Sequence, residues 1–453
     1  MIPPEIRPRK AAYRAAIVIG FAVALAGCAY ALVNRGKIDQ AKADQIEEGI
    51  QALRQLRFKH SVPLIVETQD EAEAQMKRDL ERENTDEELR AEGAAGALMG
   101  LYPAGIDLKR QELKLLRSQV AGFYDPHEHE MVLVEGAVEI GFFASAAEFL
   151  VQRDLVGEML LAHELTHALQ DQNFDLGNRL EALKDNDDRA LALQSVAEGD
   201  ATIAGMAYLT GSMDDSTLDA ITAQLGKLPE IFASESPDTP KGLAEPLLFE
   251  YSDGVKFVAR AYRNGGWKAV DALYASPPES SHQILHPEDY FEHPVAPLKI
   301  QLGGYQSIMQ PWKKADENTL GELSLRVILE RDLKAHPYQD PSRIALARKW
   351  AGDRFVVLQD QRMISVIAII AFADNAAASG FAIAYTTLLD RLLGSTAHEI
   401  DYRGNAVMIV IGEAAHYMGV LEPAVWRAST IGGHCAADAA IAGVPDGTSP
   451  NHP

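Results

Sequence analysis

His163 and His167 stand four positions apart, with Glu164 beside the first, in the run His163-Glu164-Leu165-Thr166-His167. Residues at that spacing share one face of an α-helix, about 6 Å apart, so both imidazoles can turn toward a single cation. Glu164 then projects beside them and reaches a water on that cation, which is where a general base belongs. With 13 histidines in 453 residues, such a pattern arises by chance on the order of 0.03 times in a chain this long. Its flanks, Met159-Leu160-Leu161-Ala162 and Ala168-Leu169, predict a buried helix. Two imidazoles and a carboxylate are costly there without a cation to satisfy them.

Three protein ligands and a water make the usual catalytic zinc site, so Zn2+ is the expected cofactor and a third ligand is required. A histidine six positions on, preceded by a glycine, would supply it in one known pattern. Here Gln170 and Asn173 occupy those positions, which points to a carboxylate. Glu198 lies 31 residues past His167 (198 minus 167) in Ser195-Val196-Ala197-Glu198-Gly199-Asp200-Ala201, where small neighbours let two helices approach closely. Glu181, Asp187 and Asp200 compete for the role, and Asp200 has the alternative of orienting a ligating imidazole. Peptide hydrolysis also needs a donor aimed at the developing oxyanion, for which Tyr251, His286 and Tyr124 are the candidates. His127 and His129, two apart in a turn, are read as solvent-exposed side chains and not as a second metal site.

The elements that must position these groups follow from periodicity. Helices are expected over 37–56, 70–98, 146–173, 187–208 and 251–263, with a short one over 281–285. A strand over 62–66 and a hairpin pairing 120–124 with 131–134 supply a small sheet, whose edge just before the metal helix is placed to pair with an extended substrate. Beyond residue 303 a helix over 319–333, strands over 355–359, 363–371 and 406–411, and a helix from a cap at Asp374 to Leu393 form a second module. The fold class is therefore α+β, with a mainly helical catalytic domain over 37–302, a smaller α+β domain over 303–440 and a disordered tail over 441–453.

Charge and termini narrow the function classes. A formal charge of −23, from 65 acidic and 42 basic side chains, repels phosphate backbones and argues against nucleic acid as a partner. Arg7, Arg9, Lys10 and Arg14 precede an uncharged run from Ala15 to Val33, the layout of an export signal or anchor over 1–36. Leu25-Ala26-Gly27-Cys28 has the form of a bacterial lipobox, favouring a lipid anchor at Cys28, while the 19-residue length also suits an uncleaved membrane helix. Either way the remainder faces the extracytoplasmic side of a bacterial envelope. Cys435 is the sole other cysteine, so a multi-thiolate metal site is excluded.

The chain resembles the bacterial gluzincin-type zinc metallopeptidases, which carry a glutamate on a helix after the paired histidines. More narrowly it is similar to a bacterial group sharing the phrases found here at Ala121 to Pro126, His163 to Gln172, Glu198 to Ala201, Gly265 to Trp267 and Gln283 to Pro287. The resemblance runs from about Leu53 to Gly412 and implies a zincin-like catalytic domain, with no particular substrate. The expected activity is endopeptidase hydrolysis of peptide or protein substrates. A degenerate zinc- or peptide-binding protein and an envelope scaffold are the alternative readings.

Overall fold

Side-chain caps decide where the first helices begin. Asp39 accepts from the Lys42 amide to start α1 (Gln40–Arg54), and the two residues before it, Lys37–Ile38, pair with Val33–Asn34 instead of continuing the helix. Thr68 closes β1 (Leu64–Thr68) and forms a reciprocal capping box with Glu71 that opens α2 (Gln69–Glu83), satisfying two amides that have no partner inside the helix. The single helix expected over 70–98 is two. Asn84 turns to extended backbone at φ −129 and ψ 133, and α3 (Asp86–Met99) starts afresh. After α4 (Leu108–Arg117), a hairpin joins β2 (Gly122–Asp125) to β3 (Glu130–Glu135). The computed structural model describes residues 33–34, 37–117, 122–126, 128–135, 156–211, 213–335 and 342–439. All but Val33 and Asn34 of the segment expected as an N-terminal anchor, together with His127, the start of the helix expected over 146–173 and the expected C-terminal tail over 441–453, lie outside them.

The molecule is an α+β protein, mainly helical with small sheets. Its contacts divide it into two units. The first takes in the described residues through Asp86, with Lys109–Thr239 and Leu243–Pro294; the second comprises Glu87–Leu108, Pro240–Gly242 and the described residues from Val295. This differs from contiguous segments over 37–302 and 303–440, because α3 and its following loop belong with the second unit.

In the first unit three strands are ordered β1-β3-β2, β1 parallel and β2 antiparallel to β3, leaving β2 at the edge. Behind it run α5 (Val156–Phe174) and α6 (Asp187–Thr210), which Asn186 caps through the Arg189 amide. Nearly the whole circumference of α6 is buried, as expected for a helix enclosed by neighbours. A π-helical turn, Glu250–Gly254, leads into α7 (Val255–Ala275). α6 packs against α5, α7 and this turn, and α1 packs against α5 and α6.

Close approach is made possible by glycine. A Cβ on Gly254 would lie 2.5 Å from the Ser195 carbonyl, and one on Gly199 would lie 2.6 Å from the Gly254 carbonyl. Neither distance is tolerable for real atoms, so both positions accept only hydrogen while α6 keeps its contact with the π-turn.

The second unit is built on a five-stranded antiparallel sheet. In chain order the sheet's strands and the longer helices after residue 295 are β4 (Lys313–Asn318), α8 (Gly321–Ala335), β5 (Trp350–Asp360), β6 (Met363–Phe372), α9 (Asn375–Leu393), β7 (His398–Arg403), β8 (Ala406–Ile411) and α10 (Met418–Ala428). The strands are ordered β7-β8-β6-β5-β4. Alternate residues of the central strands feed two cores: Val366, Ala368 and Ile370 pack with Phe381, Leu389 and residues of α3, while Ile367, Ile369 and Met408 pack with Trp426. Burial on both faces explains why β6 reads from Val366 to Phe372 as an apolar run with no period of two. Asp374 caps α9 through the Ala377 amide, at the expected place.

Candidate metal centre

Helical spacing on α5 and proximity of α6 bring His163, His167 and Glu198 together. The imidazole Nε2 atoms are 3.1 Å apart, and they lie 3.3 and 3.5 Å from the same oxygen, Oε2 of Glu198. All three residues are buried, with ligand atoms within 4.8 Å of one another. Three ligands spaced about 2.0–2.1 Å around a tetrahedral ion sit roughly 3.3–3.4 Å from one another. The observed triangle matches that spacing, and two lone-pair nitrogens facing one carboxylate oxygen form an array that a cation completes. The donor set therefore fits a metal ion.

Electrostatics in this pocket are set by burial and by the two imidazoles. Burial pushes His163 below its ordinary value. Burial acts the same way on His167, but Glu198 and Gln170 outweigh it and raise its pKa. For Glu198 the balance also opposes burial, since His167 and His163 hold its carboxyl at about 2. A proton on the imidazole pair thus occupies the electrostatic role that a metal ion takes when it binds.

Glu164 is 3% exposed, and neither carboxylate oxygen makes a well-formed hydrogen bond among the described residues. Burial, then the nearby Glu198 charge, raises its pKa well above the usual range, opposed by the backbone N–H of Tyr124. Tyr124 enters the site by that amide and not by its hydroxyl, which donates to Asp171 Oδ2 at 3.1 Å and lies 3.2 Å from His129 Nδ1. Tyr251 does stand at the triangle: its hydroxyl donates to Glu198 Oε2 at 2.5 Å and its ring stacks with that of His163 at 6.5 Å. His286 sits beside His282, ring centroids 4.7 Å apart, and outside the ligand triangle. Of the competing acids, Glu181 pairs with Lys184 at the surface and Asp187 lies in the first turn of α6.

Asp200 is fully buried and holds several partners. Its Oδ2 accepts from Gln170 Nε2 at 3.1 Å, Arg54 Nη2 at 3.0 Å and Tyr274 at 2.9 Å, and its Oδ1 lies 2.9 Å from Arg54 Nε. Arg54 continues to Asp271 at 2.7 Å and stacks over the Trp267 ring at 4.5 Å. Gln170 also lies 2.9 Å from His167 Nδ1. Glu250, on the π-turn beside Tyr251, is 1% exposed, and its Oε2 makes no hydrogen bond among the described residues. Burial and then Glu198 raise its pKa well above normal. Sequence reasoning passed over Gln170, Arg54 and Glu250. The phrase around Gln170 held the first in view, while nothing in the local sequence marks the other two.

Fold and site together define an α+β protein with a buried cluster of two histidines and one carboxylate whose geometry is compatible with a metal ion. Residues 308–420 match a family model described as a domain of unknown function, DUF8575. No curated protein matches the chain. A crystal structure from Chloroflexus aurantiacus, described provisionally as a hydrolase with a novel fold, is similar at 17% identity and a TM-score of 0.39, covering 62% of this chain and 95% of that one.

Proposed function

We propose that the protein is a zinc-dependent endopeptidase of the gluzincin type, with a zincin-like catalytic unit that hydrolyses peptide bonds of protein substrates in a bacterial envelope. The observation that carries this reading is the convergence of His163, His167 and Glu198 beside a buried Glu164 carboxyl that makes no well-formed hydrogen bond among the described residues. Neutral imidazoles and a carboxylate in a closed triangle suit zinc, and the fourth position of such a site belongs to water or substrate.

When bound, zinc supplies a Lewis acid that polarises a carbonyl and lowers the pKa of water to about 7. The protein's own groups do the rest. A cation beside Glu164 reverses the pressure that burial puts on its carboxyl and favours the ionised base. Glu164 then takes a proton from the attacking water and returns it to the leaving amine. Tyr251 donates its one hydroxyl hydrogen to Glu198 Oε2; with that oxygen given to a cation, the hydrogen is released to donate toward the developing oxyanion. The side of β2 that pairs with no strand among the described residues offers main-chain groups to an extended substrate, adding it as a further strand. The N-terminal run supports attachment to the membrane by lipid at Cys28 or by an uncleaved helix. Among the described residues no helix is long and apolar enough to cross a membrane, so the anchor is tested by separating membrane and soluble fractions.

Metal analysis of purified protein, followed by cleavage of an unfolded casein-like substrate with and without chelator, tests the proposal. One zinc per chain and chelator-sensitive cleavage are expected. Glu198→Ala should lose the zinc, whereas Glu164→Gln should keep it and lose roughly 10²–10⁴-fold in turnover. Zinc without cleavage would leave a degenerate binding protein, and absence of metal would leave a scaffold.

A further inference from the structure

Gln170 is fully buried one turn beyond His167 on α5, and its amide has one orientation that satisfies every neighbour. On one side lie two acceptors and no donor: the Ala197 carbonyl at 2.9 Å and Asp200 Oδ2 at 3.1 Å. Only an NH2 group can face them, so the amide oxygen must face His167 Nδ1, 2.9 Å away. A carbonyl oxygen can only accept, so Nδ1 must carry hydrogen. In the neutral ring that leaves the lone pair on Nε2, the atom 3.5 Å from Glu198 Oε2 and 3.1 Å from His163 Nε2.

The chain of constraint extends further from the site. Asp200 is held with its acceptor toward Gln170, because Arg54 Nη2 and Tyr274 both donate to Oδ2 and the Arg54 charge lies against Oδ1, Nε being 2.9 Å away. Arg54 ends α1 and is itself fixed by Asp271 and by the Trp267 face. All these groups except Asp271 are buried, where an unmet donor or acceptor costs about 1–3 kcal/mol, so the network resists any flip of the amide.

We infer that Gln170 is a positioning residue that selects the metal-binding tautomer of His167, and that the Arg54–Asp200 pair fixes the orientation in which it does so. The inference deepens the metal-centre reading and rests on it for its consequence, tighter metal binding; the tautomer itself does not depend on a metal. Gln170→Leu keeps the volume and removes the acceptor. Gln170→Glu keeps an acceptor toward Nδ1 at the same reach and, as the neutral acid, an O–H donor toward the Ala197 carbonyl and Asp200 Oδ2.

Two readouts are taken on the full chain. Imidazole nitrogen NMR of metal-free protein, at a pH high enough for His167 to be neutral, should find a single Nδ1–H tautomer in the wild type and in Gln170→Glu, and a mixture in Gln170→Leu. Competition with a chromophoric chelator should find zinc bound about 10–100-fold more weakly by Gln170→Leu, with Gln170→Glu nearer the wild type. A single Nδ1–H tautomer retained in Gln170→Leu would overturn the inference, as would unchanged zinc affinity. If Gln170→Leu does not fold, a folded Gln170→Glu that has lost both the tautomer and the affinity overturns it equally. Wild-type protein that takes up no zinc sinks the peptidase proposal, and the tautomer measurement then decides the inference alone.

Discussion

At the residue scale, the site carries more acid than one cation needs. Glu198 is held ionised by the imidazoles, whereas Glu164 and Glu250 are both driven toward their neutral forms. Glu164 has a use for a proton it can release, but Glu250 has no such role in hydrolysis, and its cost falls on stability. The sign follows from linkage. A carboxyl with a raised folded pKa stays protonated after the unfolded chain has released its proton, so the fold loses about 1.4 kcal/mol per pH unit for each such group, from the unfolded pKa upward. Metal-free protein should therefore grow less stable as pH rises from about 5 toward neutrality. Glu250→Gln removes one of the carboxyls responsible. In chelator it should unfold at a higher temperature than wild type near neutral pH, with the advantage shrinking toward about pH 5. Equal pH slopes for the two proteins in a melting series would show that Glu250 is ionised in the fold.

At the element scale, α6 must lie close enough to α5 for Glu198 to meet two imidazoles, and its other face is pinned by the π-turn. Gly254 makes that second contact with no room for a methyl group. Gly254→Ala should push the turn off α6, costing about 1–3 kcal/mol in overpacking, and should weaken zinc binding, because Tyr251 on the same turn donates to Glu198. A variant with lowered thermal stability and wild-type zinc affinity would separate the two contacts. The ligand-bearing helices were legible in the sequence because burial of charged groups at helical spacing demands a common partner, and an alanine- and glycine-rich stretch around Glu198 signals close packing. The π-turn was not legible, since one extra residue in a helical turn leaves the apolar pattern almost unchanged. Nor was the break between α2 and α3, where a charged, solvated stretch continues through Asn84 with no change in texture. Tyr124 was legible as a site residue but not in its role: which of its groups faces Glu164 depends on the pairing of β2 with β3, while Asp171 claims its hydroxyl from a helix 47 residues away.

At the scale of the whole molecule, chain order and packing order part company. The family match to residues 308–420 falls inside the second unit, yet that unit's core takes in Ala91, Ala95 and Met99 of α3, a segment more than 200 residues earlier in the chain. The attachment is polar as well as apolar: Tyr385 donates to the Met99 carbonyl, and Arg331 donates to the carbonyls of Gly100 and Tyr102. A length-and-texture boundary near residue 303 could not reveal this, because α3 borders α2 in sequence and shares its charged character. The consequence is measurable without cutting the chain. Met99 is 4% exposed, so Met99→Ala should remove roughly 2–5 kcal/mol from the second unit through lost burial and a residual cavity. The proposed zinc ligands all lie in the first unit, so zinc content and affinity should be unchanged under conditions where both proteins remain folded. Denaturant unfolding followed alongside zinc release checks both halves. Loss of zinc affinity in folded Met99→Ala would mean that α3 supports the metal site, against the division of contacts that assigns it to the C-terminal sheet.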